Sequence, residues 1–473
     1  MFVKTRTLTG RQYTVGRAAN TTMSLKTHLL LTVYWLFFLN ITAKSAEVTF
    51  KNVSLFKSRV SPFATIPSSN TLKEYLPKEN VFSITVVGEI PVLRKNSVTD
   101  INTVKILEFM GNGLKEIEPG ALGNLHRMIK LSFNHNNLTT INEDVFDNLQ
   151  IHDLDLEDNQ IATIPSGALK NLPQLTTLYL GNNQLRSLDD GVFDRLDNLE
   201  NLVISGNSIS TLPEKFFRNM PKLKMVFLGN NSLKKMRKEI FQDSKIEYLD
   251  LSSNDIASLS DDFFQHLPHL RGIVLNHNHI TAVPKGIFNH QNLDQVQITH
   301  NEISSIDPEA FDDMPKLANI YLSSNKIKVY NPNWFHNTPN IFRLFLSYNQ
   351  MEELPDEAFK NIYNHKKQWI KLDGNKIKNV TPRTFKGFKN ILNLNLVHNE
   401  IEKWDENFLA DADVVIYLNL QDNKITCPEG NFDEVFKANF TYLSFNPLTK
   451  ECVGKIKEWR TQNPNRVVSA EYV

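Results

Sequence analysis

Four histidines stand one residue before a recurring asparagine: His135, His277, His300 and His398. His277 and His300 fall at equivalent places in consecutive segments, with His279 beside them. Imidazoles brought together in this way could titrate near neutral pH or ligate a metal. Four carboxylates, Asp153, Asp155, Glu157 and Asp158, crowd one short segment, with Glu108 upstream. Carboxylates alone suit a hard divalent cation or a basic partner. For both sets the plainer reading is a solvated surface without a ligand. Covalent chemistry has less support. The chain holds no G-x-S-x-G, no H-E-x-x-H and no phosphate-binding glycine loop. Its Ser, His and Asp residues are spread along the chain rather than gathered. We therefore expect no enzyme, no cofactor and no resident metal.

A repeat does the spreading. The pattern LxxLxLxxNxL occurs fourteen times, with its Asn at 112, 136, 159, 183, 207, 231, 254, 278, 301, 325, 349, 375, 399 and 423. A fixed period in the twenties with this consensus is the signature of a leucine-rich-repeat solenoid. Around Leu175, Leu178, Leu180, Asn183 and Leu185 the apolar residues alternate with outward ones. This predicts a short strand with Leu178 and Leu180 inward and Thr177, Tyr179 and Gly181 outward. Each repeat adds one strand to a parallel sheet, about 4.8 Å from the last. The Asn amide carries two donors and an acceptor, so a ladder of them can satisfy the turns. Ten residues later stands a Phe: 146, 193, 217, 241, 264, 288, 311, 335, 359 and 385, with Leu122, Leu169 and Leu409 in the other repeats. This second ladder predicts an aromatic spine on the convex side. Proline starts such as Pro213 predict short helical or 3-10 turns there. The fold class is an α/β solenoid, a horseshoe of about 14 repeats with a parallel concave sheet.

In such a horseshoe the residues six, four, two and one before each Asn face the concave side. These columns hold two clusters. The first combines Tyr179, Val203, Met225, Phe227 and Tyr248; the second combines Tyr321, Arg343, Phe345, Tyr348 and Trp369. Exposed aromatic and Arg clusters have the composition of binding hot spots. The alternatives are that strands favour aromatics by propensity, or that glycans or loops cover them.

The period, the Asn ladder and the Phe spine over residues 104–427 resemble the typical class of extracellular leucine-rich repeats. That class includes Toll-like receptor ectodomains, chaoptin-like adhesion proteins and the secreted leucine-rich immune proteins of mosquitoes. The resemblance implies a secreted, protein-binding module in innate immune recognition or surveillance. It also leaves open an adhesive or matrix protein, or an antagonist that sequesters a signalling ligand or protease. Many relatives carry four-Cys caps, and some mosquito relatives carry a coiled coil after the repeats. This chain has neither.

The ends complete the plan. From Leu29 to Leu39 runs an apolar core behind Lys26 and His28, followed by small residues Ala43, Ser45 and Ala46. Residues 1–46 thus read as an extension plus signal peptide, with Met23 as an alternative start and an uncleaved anchor as the alternative fate. Residues 47–103 are expected to form an N-terminal cap, with Phe82, Ile84, Val86 and Ile90 in a cap strand and 60–80 as loop. Repeats fill 104–426, and 427–473 form a C-terminal cap. Only two cysteines exist, Cys427 and Cys452. In an oxidising compartment they are expected to bond to each other; two buried thiols are the alternative. Sequons at Asn52, Asn137, Asn230, Asn379 and Asn439 would then take glycans. Lys plus Arg equals Asp plus Glu at 52 each, which gives no basic excess for nucleic acid. Partners are expected to be extracellular proteins, with no stable membrane insertion; a glycan or microbial ligand and a homo- or heterodimer stay open.

Overall fold

The computed structural model describes residues 48–57, 62–259, 264, 266–288, 292–362 and 367–470. The expected signal segment lies outside them. Among them no helix is long and apolar enough to cross a membrane.

The alternating Leu-x-Leu segments form the expected strands. Each three-residue piece, such as Thr177–Tyr179, pairs in parallel with the same piece one repeat on: Leu178 with Leu202, Leu202 with Val226, Val226 with Leu249. The pairing runs without a break from Val81–Val87 to Val467–Ser469. The inward leucines are fully buried. Thr177 and Gly181 were expected outward and are nevertheless buried. They are small, and neighbouring side chains lie over them. Asn201 donates to the Thr177 hydroxyl at 3.2 Å, and the Glu157 carboxylate fills the space beside Gly181.

The Asn ladder closes the turns. The Asn183 amide nitrogen donates to Leu180 and Gly181 of its own turn and to Leu156 of the preceding repeat, all near 3 Å. Its oxygen accepts the N–H of Ile161 at 2.9 Å. Each rung thus ties one repeat to its neighbour through buried backbone groups, which native structures keep paired. The residue before each ladder Asn has a left-handed backbone, from Gly111 through His135, Asp158 and Asn182 to His398, Asp422 and Phe445.

On the convex side the Phe spine is buried, with rings stacked at 5.3–5.7 Å in pairs such as Phe217–Phe241, Phe288–Phe311 and Phe359–Phe385. The expected 3-10 turns occur at Lys238–Phe241 and Pro332–Phe335.

Both ends depart from expectation. Residues 60–80 contain a strand, Ala64–Ser69, and a 3-10 turn, Lys73–Tyr75. The strand pairs antiparallel with Phe50–Phe56, which pairs antiparallel with Val81–Val87. Backbone pairing and burial of Ile66 and Leu72 override the polar composition here. In the cap strand Ile84 and Val86 are buried, as is the nearby Ile90, but Phe82, on the same phase near the start of the strand, is 66% exposed, with the Lys105 ammonium 5.9 Å over its ring. At the other end the ladder has a fifteenth rung. Asn446 donates to Leu420 and Leu443 and accepts from Ile425 N–H at 3.0 Å. The last stretch forms the helix Lys450–Gln462, capped by Thr449, and a final strand, Val467–Ser469. Cys427 and Cys452 are bonded to each other.

Candidate functional site on the concave sheet

The outward columns are where strand geometry leaves side chains free of the core. At the N-terminal end they hold the acidic residues. Asp155 is buried, so it is not an open carboxylate. It accepts from the Ser132 hydroxyl at 2.9 Å, the Asn134 amide at 3.3 Å and the Glu157 N–H at 3.2 Å, and Lys130 stands 3.5 Å away. Asp158 pairs with His135 at 3.2 Å. Burial, then repulsion from Asp155 and Asp158, raises the Glu157 carboxyl above its ordinary range. Internal contacts therefore consume much of this patch. Among the described residues no group of three or more His, Cys, Asp or Glu is placed to hold a metal ion.

The first aromatic cluster divides. Phe227 and Tyr248 touch at 5.6 Å, and Met225, 38% exposed, faces Tyr248 in the strand register. Val203 links Tyr179 to Phe227 along the same row. Tyr179 itself sits under the Lys130 ammonium at 5.6 Å and belongs with the acidic end. Burial, then the nearby Asp153, raises its phenol. The Tyr248 ring lies against Gly272, leaving no room there for a Cβ.

The second cluster holds together. Tyr321 meets Phe345 edge-on at 5.1 Å, and Phe345 meets Trp369 edge-on at 5.5 Å. These are the geometries in which ring edges face ring faces. Arg343 lies 5.9 Å from the centre of the Trp369 ring and donates to the Asn319 amide oxygen at 3.0 Å. Lys371 lies 4.7 Å over Phe345 and 5.3 Å over Trp369. All five side chains are half-buried. Tyr348 stands apart. It occupies the rim, 61% exposed, with its ring against Gly374. Lys371 was missed by the sequence clusters, although it follows Trp369 by two residues and must share its face. Also missed was a stack of Tyr417 on Phe440 at 4.9 Å, because Phe440 lies in the repeat whose strand carries Thr441 in place of leucine.

Between the clusters His277 and His300 stack at 4.3 Å. Burial, then repulsion from His277, lowers the His300 pKa. A His with a depressed folded-state pKa stabilises above its unfolded value, about 6.5, and loses that contribution as pH falls through the folded value. Replacing His277 with Asn, which tolerates the left-handed backbone, removes the second cause and the share of the burial that the stacked ring supplies. The His300 titration midpoint, followed by NMR, should move part of the way back up; an unmoved midpoint would refute the coupling.

The sequon residues Asn52, Asn137, Asn230, Asn379 and Asn439 are all exposed. Asn230 lies on the rim, in the repeat of Met225 and Phe227, and Asn439 accepts from Arg466 at 2.8 Å.

The leucine rich repeat family pattern matches residues 102–161, 150–209, 197–256, 244–290, 291–351, 344–401 and 365–425. No curated protein matches the chain in sequence. Among solved structures, a leucine-rich-repeat protein of Leptospira interrogans is 23% identical, with TM-score 0.64 over 78% of this chain and 90% of that one. A chain of the Drosophila Toll–Spatzle complex is 17% identical, with TM-score 0.61 over 78% of this chain and 58% of that one. A chain of the LRIM1/APL1C complex is 20% identical, with TM-score 0.58 over 81% of this chain and 65% of that one. The chain thus spans less than two thirds of those last two, and at these identities the likeness is one of fold. With the family pattern covering most of its length, the chain belongs to the leucine rich repeat family.

Proposed function

We propose that this protein is a secreted recognition module that binds other proteins through its concave sheet, in innate immune surveillance. One observation carries the binding reading. The row Tyr321–Phe345–Trp369 is a continuous aromatic surface, half-exposed and flanked by Arg343 and Lys371. Large rigid rings that are already packed bury area on a partner with little further loss of side-chain freedom. Toll and LRIM1 were each solved in a complex with another protein, which supports the same use of this scaffold. Secretion and the immune process rest on the resemblance and on the apolar leader.

The test is affinity capture from extracellular fluid with the full chain, followed by titration of the captured protein. Phe345→Ala with Trp369→Ala should weaken binding by roughly 2–4 kcal/mol, the range for central aromatic anchors. Affinity unchanged in the double variant would remove this row as the contact. Retention on cell surfaces or matrix, with no soluble species, would favour the adhesive role instead.

A further inference from the structure

We infer that the second cluster selects an acidic segment: a stretch of a protein partner in which Asp or Glu adjoins an apolar side chain. The inference rests on the proposed use of the concave row and names what that row would take.

Charge pairing along the sheet carries the argument. In the columns six and four before each Asn, the only cations are Lys130, Arg343 and Lys371. Lys130 is matched by Asp155. Along the strand entrances, Lys224 is matched by Glu200, and Arg271 by Glu247 and Asp294, while Lys105 lies alone over the single Phe82 ring in the cap. Arg343 and Lys371 are different. Neither forms an ion pair among the described residues; Arg343 donates to the neutral Asn319, and both cations lie over aromatic rings. The carboxylate closest in sequence, Asp373, is held by the Ser347 hydroxyl at 2.8 Å and the Asn395 amide at 3.0 Å.

The result is two positive charges on an aromatic floor, one carried by each of two adjacent strands. A guanidinium held over a ring keeps N–H groups free for a carboxylate, and charge-assisted bonds are stronger than neutral ones. The flanking ring surface takes the apolar neighbour. A bare polyanion would use the cations but leave the rings idle. An apolar ligand would cover both cations without a partner, which costs free energy. An acidic-apolar segment uses both.

The probe is a peptide display library panned on the full chain, with heparin as the polyanion control. Selected peptides are expected to place Asp or Glu beside Phe, Tyr, Trp or Leu. Their affinity should fall about tenfold or more in Arg343→Gln with Lys371→Gln, and again in Trp369→Ala, since one charge-assisted bond is worth about that factor. Both variants replace partly exposed side chains, and an unchanged unfolding midpoint confirms that they fold. Peptides that need Trp369 but lack acidic residues, or ignore the charge variant, overturn this inference while leaving the protein-binding reading intact. Peptides indifferent to Trp369 overturn both. Heparin binding that disappears in the charge variant, with no acidic-apolar peptide selected, also overturns it in favour of a polyanion.

Discussion

Replacing Asn254 with Ala should destabilise the array by roughly 3 kcal/mol, far more than the same change at Asn112. The difference follows from what each side chain leaves behind. The Asn254 amide nitrogen donates to the carbonyls of Leu228, Leu251 and Ser252 at 3.0–3.1 Å. Those carbonyls keep other donors: Leu228 retains Asn231, Leu251 retains Asn278, and Ser252 retains the N–H of Asn230. The Asn254 oxygen accepts the buried N–H of Leu233 at 3.0 Å, and nothing else is there to accept it. A buried donor left unpaired costs about 1–3 kcal/mol, beyond the three lost bonds at about 0.5–1.5 kcal/mol each, which water and the remaining donors partly replace. Asn112 is the first rung. It donates to Val86 and Gly88, but its oxygen accepts from no group. Losing it orphans no N–H, so about 1 kcal/mol is expected. Because a solenoid's stability is a sum of repeat and interface contributions, the measurement should resolve position. Hydrogen exchange should speed around Leu233 and Leu251 in Asn254→Ala, with a lower denaturation midpoint. Equal midpoints for the two variants would defeat the account.

The ladder was legible because its chemistry depends on one residue type at one period. The spine was legible for the same reason. Positions set by backbone rather than side chain were not. The column before each Asn takes Gly, Asn, Asp, Ser, His, Tyr and Phe, and its common property is positive φ. No side-chain pattern reveals that. The fifteenth rung escaped because Ala438 and Thr441 replace the first two expected leucines, although Leu443, Asn446 and Leu448 keep their places. The strands Phe50–Phe56 and Ala64–Ser69 escaped because antiparallel pairing, unlike the repeat, has no periodic trace. At the candidate site, period two suffices to find the aromatic row. It cannot tell which charges stay unpaired. Asp155 and Lys371 look alike as outward charged residues. One is buried under Ser132, Asn134 and Lys130, and the other is held over rings, and only the register with neighbouring strands separates them.

Removing the disulfide, as Cys427→Ser with Cys452→Ser, should cost roughly 3 kcal/mol and should open only one end of the array. The bond closes a loop of 25 residues, and the chain-entropy relation gives about that value for a loop of this length. The location of the damage follows from what the loop holds. The helix Lys450–Gln462 begins at Thr449, whose hydroxyl accepts the Cys452 N–H at 3.1 Å. It buries Val453 and Ile456, and Trp459 packs against Phe436 at 4.8 Å. The strand after it, Val467–Ser469, is the last to pair in the sheet. This cap has a small core of its own, and it covers repeats whose strand edge, if opened, would present unpaired backbone groups. When the cap loosens, its contacts with the fifteenth rung loosen with it. Nearest-neighbour coupling then weakens the adjacent repeats but fades along the array. Hydrogen exchange should therefore rise over 440–469, less around Asn423, and not at all near Asn183. The double variant avoids a free thiol, so reshuffling cannot mimic the effect. Uniform acceleration through the array would mean that the repeats unfold as one cooperative unit. Unchanged exchange at the C-terminal end would mean that packing alone closes it. Either result would show that the bond does not act as a terminal lock.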